Sequence, residues 1–315
     1  MTILVTGANG FIGAALCERL DRLALPGRAS TRNNQQIQLH SDAFVVGEIN
    51  GQTDWRGALQ GVDRIVHLAA RTHVVRDNSI DPLADFRRVN VEGTAKLARQ
   101  AADHGVRRLV FVSSIKVNGE STSTGKLFTA DDAPSPKDPF GVSKYEAEQL
   151  LRGIAAETGM EIVIIRSPLV YGPGVKANFR SMMRWLARGI PLPLAGVNEN
   201  RRSMVALDNL VDLIVTCLEH RAAANQIFLV SDGEDLSTAS LLVRMGEAQG
   251  TPARLFYAPD AALKLGATIL GKQSIYRQLC GSLQVDIRKT CQVLDWTPTV
   301  SVDEGLRRTA KQAKR

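Results

Sequence analysis

The sequence predicts an α/β fold in which helices cover both faces of a parallel sheet. Short runs of Val, Ile and Leu alternate with helical patterns, and such runs indicate strands buried on both faces. A glycine-rich turn joins the first strand to the first helix, as in doubly wound sheets. The composition, 44% hydrophobic and 23% charged over 315 residues, is that of a globular protein and excludes a disordered or disulfide-built chain.

The predicted elements follow one another in the order βαβαβ. The predicted strands span four apolar runs, at 2–6, 64–68, 108–113 and 161–166. The predicted helices lie between or after these runs, at about 12–23, 80–104 and 139–158. Gly159 follows the third helix and is expected to cap it in the left-handed conformation. A further strand at 226–230 is predicted to return to the sheet.

Two lobes are expected from the chain length and from a change in pattern after Arg166. Proline and glycine residues break the sequence there into short pieces. We expect residues 1–170, with a return segment near 201–232, to form the domain that carries the sheet. Residues 171–200 and 233–315, predicted as short helices and loops, are expected to form the second lobe.

Charge and cysteine usage narrow the class of partner and the compartment. The 39 Lys and Arg exceed the 32 Asp and Glu, and the net charge of +7 suits a small substrate that carries phosphate. The basic residues are scattered, which does not favour nucleic acid. Four cysteines without CxxC spacing predict reduced thiols and no metal site. Without a signal-like start or an apolar stretch of ~18 residues, we expect a cytoplasmic protein with no membrane partner.

The loop after the first strand has the spacing Gly-x-x-Gly-x-x-Gly. Glycines allow a tight turn, and they let backbone amides approach a pyrophosphate at the positive end of the helix. An ordinary turn with small residues is the alternative, but the position between strand and helix favours dinucleotide binding. The predicted contacts in this loop are Gly7, Asn9, Gly10, Phe11, Ile12 and Gly13.

The residue about 20 positions after this loop decides between NAD and NADP. A carboxylate there binds the ribose 2′-hydroxyl, whereas an arginine accepts a 2′-phosphate. The segment from Ser30 to Asn33 contains Arg32 and no acid. We therefore expect NADP(H), with NAD(H) as the alternative. Glu48 and Ile49 are predicted to lie near the adenine.

Further motifs follow in order along the chain: His67–Ala70, Asn90–Thr94, Ser113-Ser114, Ser143-Lys144 and Val170–Gly174. With these motifs the chain resembles the extended short-chain dehydrogenases/reductases, in the NAD-dependent epimerase/dehydratase group that acts on nucleotide sugars. The resemblance covers nearly the whole chain. It implies a Rossmann sheet, a smaller carboxyl-terminal lobe for a UDP-sugar, and a homodimer packed through the second and third predicted helices. The further cofactor contacts that it implies are Leu68, Ala69, Ala70, Asn90 and Lys144.

Members of this family use a Ser or Thr, a Tyr and a Lys, with the last two spaced Tyr-x-x-x-Lys on one helix. That spacing places both side chains on one face, where the ammonium lowers the pKa of the phenol and binds the nicotinamide ribose. The resemblance assigns Ser114 and Lys144 to two of these catalytic roles, but Phe140 holds the tyrosine position. Phenylalanine transfers no proton, so the ~10²–10⁴-fold contribution of general acid/base catalysis is expected to be absent.

Two explanations of Phe140 stay open: a natural variant, or a deliberate Tyr-to-Phe change that traps bound substrate. The residues on both sides of Phe140 keep the family pattern, including pieces that are useful only for catalysis. This retention favours the second explanation.

The substrate side is predicted from the same resemblance. Similar enzymes contact the nucleotide diphosphate through an Asn after the Tyr-Gly-Pro-Gly loop and an Arg before the penultimate apolar strand. Asn178 and Arg202 hold these positions, and Arg277 is a second phosphate candidate, because guanidinium groups bind phosphate oxygens bidentately. Lys116, two residues past Ser114, either reaches the sugar or a phosphate, or is an exposed loop charge.

Three hypotheses of function remain. The segment around Lys116 resembles the subgroup of UDP-N-acetyl-6-deoxyhexose 4-ketoreductases and 4-epimerases of O-antigen synthesis. Because a ketoreductase consumes reduced cofactor and Arg32 favours NADPH, the sequence predicts NADP(H)-dependent reduction of a UDP-4-keto-6-deoxy-N-acetylhexosamine. The alternative is a UDP-hexose or UDP-N-acetylhexosamine 4-epimerase that retains NAD. The third hypothesis is a non-catalytic dinucleotide-binding sensor or scaffold that lost the tyrosine.

Overall fold

The computed structural model describes residues 2–33, 43–72, 80–123 and 125–313, and its centre is a parallel sheet. The strands of this sheet are β1 (Thr2–Thr6), β2 (Gly27–Thr31), β3 (Ala43–Val45), β4 (Val62–His67), β5 (Arg108–Ser114), β6 (Glu161–Ser167) and β9 (Ile227–Leu229). They lie in the order β3-β2-β1-β4-β5-β6-β9, which is a doubly wound arrangement. β7 (Leu169–Tyr171) and β8 (Met204–Ala206) form a separate parallel pair.

Twelve α-helices are assigned in the described ranges. In chain order they are α1 (Phe11–Arg22), α2 (Arg56–Leu59), α3 (Pro82–Arg87), α4 (Gly93–Asp103), α5 (Pro139–Thr158), α6 (Ala177–Ala187), α7 (Leu207–Glu219), α8 (Thr238–Gln249), α9 (Asp260–Ile269), α10 (Gln273–Cys280), α11 (Arg288–Leu294) and α12 (Val302–Ala313).

Helices bury both faces of the large sheet, which confirms the predicted fold class. Ile3 and Val5 of β1 point into one core, where α1 and α7 pack. Leu4, between them, points into the opposite core with side chains of α4 and α5. This alternation explains why the strands read as continuous apolar runs rather than as alternating ones.

The predicted elements of the first half are confirmed with three corrections. The helix predicted over 80–104 begins at Pro82, where the Asp81 side chain accepts a hydrogen bond from the Ala84 amide. It is interrupted by a π-helical turn at Arg88–Glu92. Strands β2 and β3 were not predicted, because β2 contains no Val, Ile or Leu and β3 has only three residues. Gly159 ends α5 with a φ of 76°, as predicted.

A third core lies in the carboxyl-terminal part of the chain. It joins apolar side chains of α6, α8 and α12 to those of β7 and β8. The prediction of only short helices in 233–315 is wrong for α8 and α12, which have 12 residues each. β9 pairs with β6 and α7 packs on the sheet, so the chain does return to it. The division at residue 170 stays a prediction.

None of the helices in the described ranges is long and apolar enough to cross a membrane. The predicted cytoplasmic location stays a prediction.

Candidate active site

The loop between β1 and α1 has no room for a side chain at two of its glycines. Gly7 has a φ of 67°, and a Cβ there would lie 2.9 Å from the amide nitrogen of Ala69. A Cβ at Gly13 would lie 2.2 Å from the carbonyl oxygen of Gly7. The loop therefore packs against both the start of α1 and the end of β4, and only glycine fits at these two positions.

The first turn of α1 is open to a ligand. Gly10 precedes the helix and provides no side-chain cap for its first amides. Asn9 and Gly10 are exposed, and Phe11 and Ile12 are half-buried. Amides at the positive end of a helix bind anions, so this turn fits the pyrophosphate of a dinucleotide.

Thr6, the last residue of β1, ties this loop to β4. Its Oγ1 accepts hydrogen bonds from the amides of Leu68 and Ala69, both at 3.1 Å, and lies 2.6 Å from Nδ1 of His67. Because this oxygen already accepts twice, its hydrogen goes to Nδ1, and Nε2 of His67 donates to Thr94 over 2.9 Å. Burial lowers the pKa of His67 to about 3, which keeps the ring neutral. His67 therefore braces the site.

Asn90 lies in the π-helical turn and joins two parts of the site. Its Oδ1 accepts from the Arg71 amide at 2.8 Å, and its Nδ2 donates to the Arg71 carbonyl at 3.1 Å and to Ser143 Oγ at 3.0 Å. Ser143 in turn donates to the Phe140 carbonyl at 2.8 Å. Asn90 thus fixes the first turn of α5. Contacts of Asn90, Leu68, Ala69 and Ala70 with a cofactor stay predictions.

Lys144 is buried where α5 crosses the end of β5. Its Nζ donates to the Val112 carbonyl over 2.8 Å and lies 3.7 Å from the ring centroid of Phe111. Burial lowers the pKa of Lys144 to about 7, and the negative charge of Glu148 acts in the opposite direction. The ammonium thus stands at the carboxyl edge of the sheet, the edge where ligands of doubly wound folds bind.

Phe140 lies one helical turn before Lys144, in the first turn of α5. Its ring meets Phe86 edge to face, with the centroids 6.0 Å apart. Of the four tyrosines, Tyr171 is buried and donates to Asp232 over 2.8 Å, so it does not replace the missing phenol. The side chain at the tyrosine position of this helix therefore supplies no proton.

A buried charged network, missed by the sequence analysis, lies one turn after Lys144. Glu148 and Arg166 expose 0% and 2% of their side chains, and Arg166 Nη2 donates to Glu148 Oε2 over 2.6 Å. Ser113 also donates to Glu148, and Arg166 donates to Asn118 over 3.0 Å. The network joins β5, β6 and α5. A glutamate four residues after Lys144 was the available signal, since that spacing places it on the same helical face.

Ser114 ends β5, and its Oγ accepts from the Lys116 amide at 3.3 Å. The ammonium of Lys116 forms an ion pair with Asp138, which also caps α5 by accepting from the Gly141 amide at 2.7 Å. Lys116 is therefore engaged in holding the turn after β5 to α5. The Lys116 side chain is only partly exposed, so the predicted exposed loop charge is wrong, whereas a contact of Lys116 with the sugar or a phosphate stays a prediction.

Arg32 is exposed at the end of β2, beside an acid from another segment. Its Nη1 lies 3.9 Å from Oε1 of Glu48, and both side chains are largely exposed. No acid is near Arg32 in the sequence, as predicted, but the folded chain places the carboxylate of Glu48 beside it. Ile49, next to Glu48, is buried against Gly93, where a Cβ would meet its Cγ2 at 2.5 Å. Ile49 therefore packs below the surface at this end of the sheet.

The three residues that are predicted to bind the diphosphate lie around α10. Asn178 of α6 donates to Gln278 over 3.1 Å, and Arg202 donates to the Gly281 carbonyl over 3.0 Å, just past α10. Burial lowers the pKa of Arg202. Arg277 is exposed on α10 itself. The fold thus brings three distant positions to one helix, while their contacts with a nucleotide stay predictions.

Comparisons with known proteins identify the family and similar proteins of known structure. The family model described as "NAD dependent epimerase/dehydratase family" matches residues 3–231. The chain is 45% identical to a UDP-glucose 4-epimerase of Vibrio cholerae, over 98% of this chain and 94% of that protein. It is 30% identical to a UDP-glucose 4-epimerase of Mycolicibacterium smegmatis, over 99% and 98%. The solved structure of MoeE5 in complex with UDP-glucuronic acid and NAD matches with a TM-score of 0.80 and 25% identity, over 100% of this chain and 99% of that one.

Proposed function

Because the chain belongs to the NAD dependent epimerase/dehydratase family, we propose that it is a UDP-hexose 4-epimerase in which Phe140 replaces the proton-transferring tyrosine. The observation that carries the proposal is the 45% identity to the Vibrio cholerae UDP-glucose 4-epimerase along nearly the whole chain. The 4-ketoreductase expected from the sequence has less support, since the Vibrio cholerae and Mycolicibacterium smegmatis relatives are UDP-glucose 4-epimerases. The non-catalytic scaffold is tested by the same experiment.

NAD is the proposed cofactor, in place of the NADP expected from Arg32. The tight loop at Gly7 and Gly13 leads into a helix whose first amides have no side-chain cap, so these amides fit a pyrophosphate. The carboxylate of Glu48 beside Arg32 offers a partner for a ribose 2′-hydroxyl and repels a 2′-phosphate. The NAD bound in the related MoeE5 structure supports the same choice. When bound, NAD would accept the C4 hydride of the sugar and return it to either face.

The chain's own residues divide the remaining work. Lys144, held at the Val112 carbonyl, would bind the nicotinamide ribose. The Ser114 hydroxyl would donate to the C4 oxygen of the sugar and orient it. A tyrosine at position 140 would accept the hydroxyl proton during oxidation and return it during reduction, and Phe140 performs neither step. We therefore propose a site that binds cofactor and substrate but epimerises slowly.

Asn178, Arg202 and Arg277 would hold the UDP diphosphate, since all three lie around α10. The homodimer stays a proposal. Whether Phe140 is a natural variant or a trap for substrate has no bearing on these binding roles.

The test is interconversion of UDP-glucose and UDP-galactose by the unaltered chain and by Phe140→Tyr, with no reduced cofactor added. We expect Phe140→Tyr to raise the rate by ~10²–10⁴-fold. Phe86→Tyr, which places a hydroxyl on the neighbouring ring, is the matched control and should leave the rate low. Absence of interconversion by all three proteins would overturn the epimerase, and equal measurable rates would overturn the role assigned to residue 140. Turnover only with a 4-keto sugar and NADPH would instead establish the ketoreductase.

A further inference from the structure

One face of the carboxyl-terminal lobe exposes a concentration of large apolar side chains. Half of the exposed large hydrophobic residues of the described chain belong to α6, the segments 188–196 and 254–258, and α9 with the residue after it. These residues are Trp185, Ile190, Phe256, Tyr257, Leu265, Ile269 and Leu270, which are 38% to 75% exposed. The other exposed large hydrophobic residues of the described chain belong to separate segments of the sequence, so the concentration in this lobe calls for a partner.

The segments 188–196 and 254–258 lie side by side, directly after α6 and before α9. The Leu192 amide donates to the Arg254 carbonyl over 2.9 Å, and the Ala195 amide donates to the Phe256 carbonyl over 3.2 Å. Trp185 and Ile190 are joined by a backbone hydrogen bond of 3.1 Å. The exposed aromatic and aliphatic groups of these two segments are therefore neighbours.

Helices α9 and α10 complete the set. Tyr276 of α10 donates to Asp260 at the start of α9 over 2.6 Å. Asn178 of α6 donates to Gln278 of α10 over 3.1 Å, which returns to the first helix of the set. We call the exposed side of these elements the α6–α9 surface. It consists of α6, segments 188–196 and 254–258, α9 and α10.

α9 has the pattern of a helix that lies at an interface between water and an apolar phase. Ala261, Leu265 and Ile269 follow one another at four-residue intervals, and Leu265 and Ile269 are 61% and 75% exposed. Leu263 packs on the core of the lobe from the other side. Lys264 lies beside this ridge on α9, and Lys272 follows the end of the helix. An apolar ridge flanked by cations is typical of helices that bind membrane surfaces.

The charge of the α6–α9 surface is predominantly positive, with Asp260 as the one acid among its elements. Lys176, Arg180, Arg184 and Arg188 repeat at four-residue intervals along α6 and its ends, and all four are exposed. Arg254, Lys264 and Lys272 add exposed positive charge. The sequence contains no Asp or Glu at 172–198 or at 261–281. The surface therefore complements an anionic partner.

We propose that the α6–α9 surface docks this protein on a bilayer of anionic phospholipid. The cations meet the lipid headgroups, and Leu265, Ile269 and the exposed aromatic groups enter the boundary with the acyl chains. A second copy of the chain is a poor partner, because a symmetric contact would place this positive surface against itself. Nucleic acid would match the charge but would leave the aliphatic ridge of α9 in water. We expected no membrane partner because the sequence has no segment that could span a bilayer. Docking on the surface of a bilayer does not need such a segment.

The proposal is tested by flotation of the full-length protein with phosphatidylcholine vesicles and with vesicles that also contain phosphatidylglycerol. We expect binding to the anionic vesicles only, weakened by added salt because exposed charges are screened. Leu265→Ser combined with Ile269→Ser should lower binding about tenfold or more, since both side chains lose their apolar contact. Arg180→Gln combined with Arg184→Gln should lower it by a similar factor.

Two control variants remove the same number of positive charges, or two exposed apolar side chains, outside the α6–α9 surface. Arg22→Gln with Arg99→Gln, and Leu23→Ser with Val243→Ser, change exposed residues outside the α6–α9 surface and should leave flotation unchanged. No flotation of the unaltered protein, or equal flotation of the Leu265/Ile269 variant, would overturn the proposal. If the unaltered protein is a dimer that does not bind vesicles, and the variants of the α6–α9 surface are monomers, the surface serves self-association instead. The assay contains no nucleotide sugar, so its failure leaves the proposed epimerase untouched.

Discussion

The cofactor half and the substrate half of the site are built in different ways. In the cofactor half, Thr6 and His67 end adjacent strands, and the Thr6 hydroxyl lies 2.6 Å from Nδ1 of His67 and accepts from the Leu68 amide over 3.1 Å. In the substrate half, Asn178 and Arg202 come from separate parts of the chain. Asn178 donates to Gln278 of α10, and Arg202 donates to the Gly281 carbonyl just past α10. Neighbouring strand ends fix the first half, whereas long-range packing of the lobe fixes the second. Changes to the buried hydrogen bonds of the first half should therefore affect folding, whereas a change at an exposed residue of the second half, such as Arg277, should affect binding alone.

The largest effect on folding is expected within α5, where a buried and an exposed ion pair lie two residues apart. Glu148→Gln leaves the guanidinium of Arg166 buried without a countercharge, and should lower the free energy of unfolding by about 3–5 kcal/mol. Glu146→Gln breaks the pair with Arg87, whose side chains are 31% and 47% exposed, and should cost about 1 kcal/mol or less. Denaturant unfolding of both variants measures the difference. Equal losses would mean that the network beneath Lys144 does not stabilise the site.

The substrate half is tested by Arg277→Gln. Because Arg277 is exposed, the variant should unfold at the same denaturant concentration as the unaltered chain. Loss of one charged hydrogen bond to a diphosphate should weaken UDP binding by about 1.5–3 kcal/mol, measured by titration calorimetry. Arg307→Gln, which is far along the chain on α12, is the control. Unchanged UDP affinity would remove Arg277 from the proposed site.

The titration of Lys144 gives a pH-dependent effect on stability that is specific to the cofactor half. Its pKa is lowered from 10.5 to about 7 in the folded chain, so between these values the unfolded chain holds a proton that the folded chain lacks. Stability contributed by this group therefore rises with pH from about 7 to 10.5, by at most about 1.4 kcal/mol per pH unit. Comparing the unfolding free energies of the unaltered chain and Lys144→Met across this range isolates the contribution. Parallel pH profiles would contradict it.

The smallest effect is expected at the exposed pair that bears on cofactor choice. Glu48→Gln removes the carboxylate 3.9 Å from Arg32 and leaves a guanidinium free to accept a 2′-phosphate. We expect NADP affinity to rise several-fold, or about 1 kcal/mol, with the affinity for NAD slightly lowered. Fluorescence titration with both cofactors checks this. A variant that binds NADP no better would show that Glu48 takes no part in selection.

Much of the fold follows from the sequence because strands buried on both faces are short runs of aliphatic residues. β2 escaped prediction because its buried residues are Ala29, Ser30 and Thr31. The glycine loop and the spacing of Phe140 and Lys144 are local patterns, so they were found directly. Pairs such as Lys116 with Asp138 depend on the packing of a turn against a helix 22 residues away, which no local pattern encodes.

We propose that this site binds NAD and UDP-glucose like a 4-epimerase and lacks only the proton-transferring hydroxyl. The most direct measurement is the dissociation constant of UDP-glucose for the NAD-loaded unaltered chain and for Phe140→Tyr, together with the kcat of each. We expect dissociation constants within a few-fold of each other and a kcat raised by ~10²–10⁴ in the variant. Absence of UDP-glucose binding to the unaltered chain, or an unchanged kcat, would contradict it.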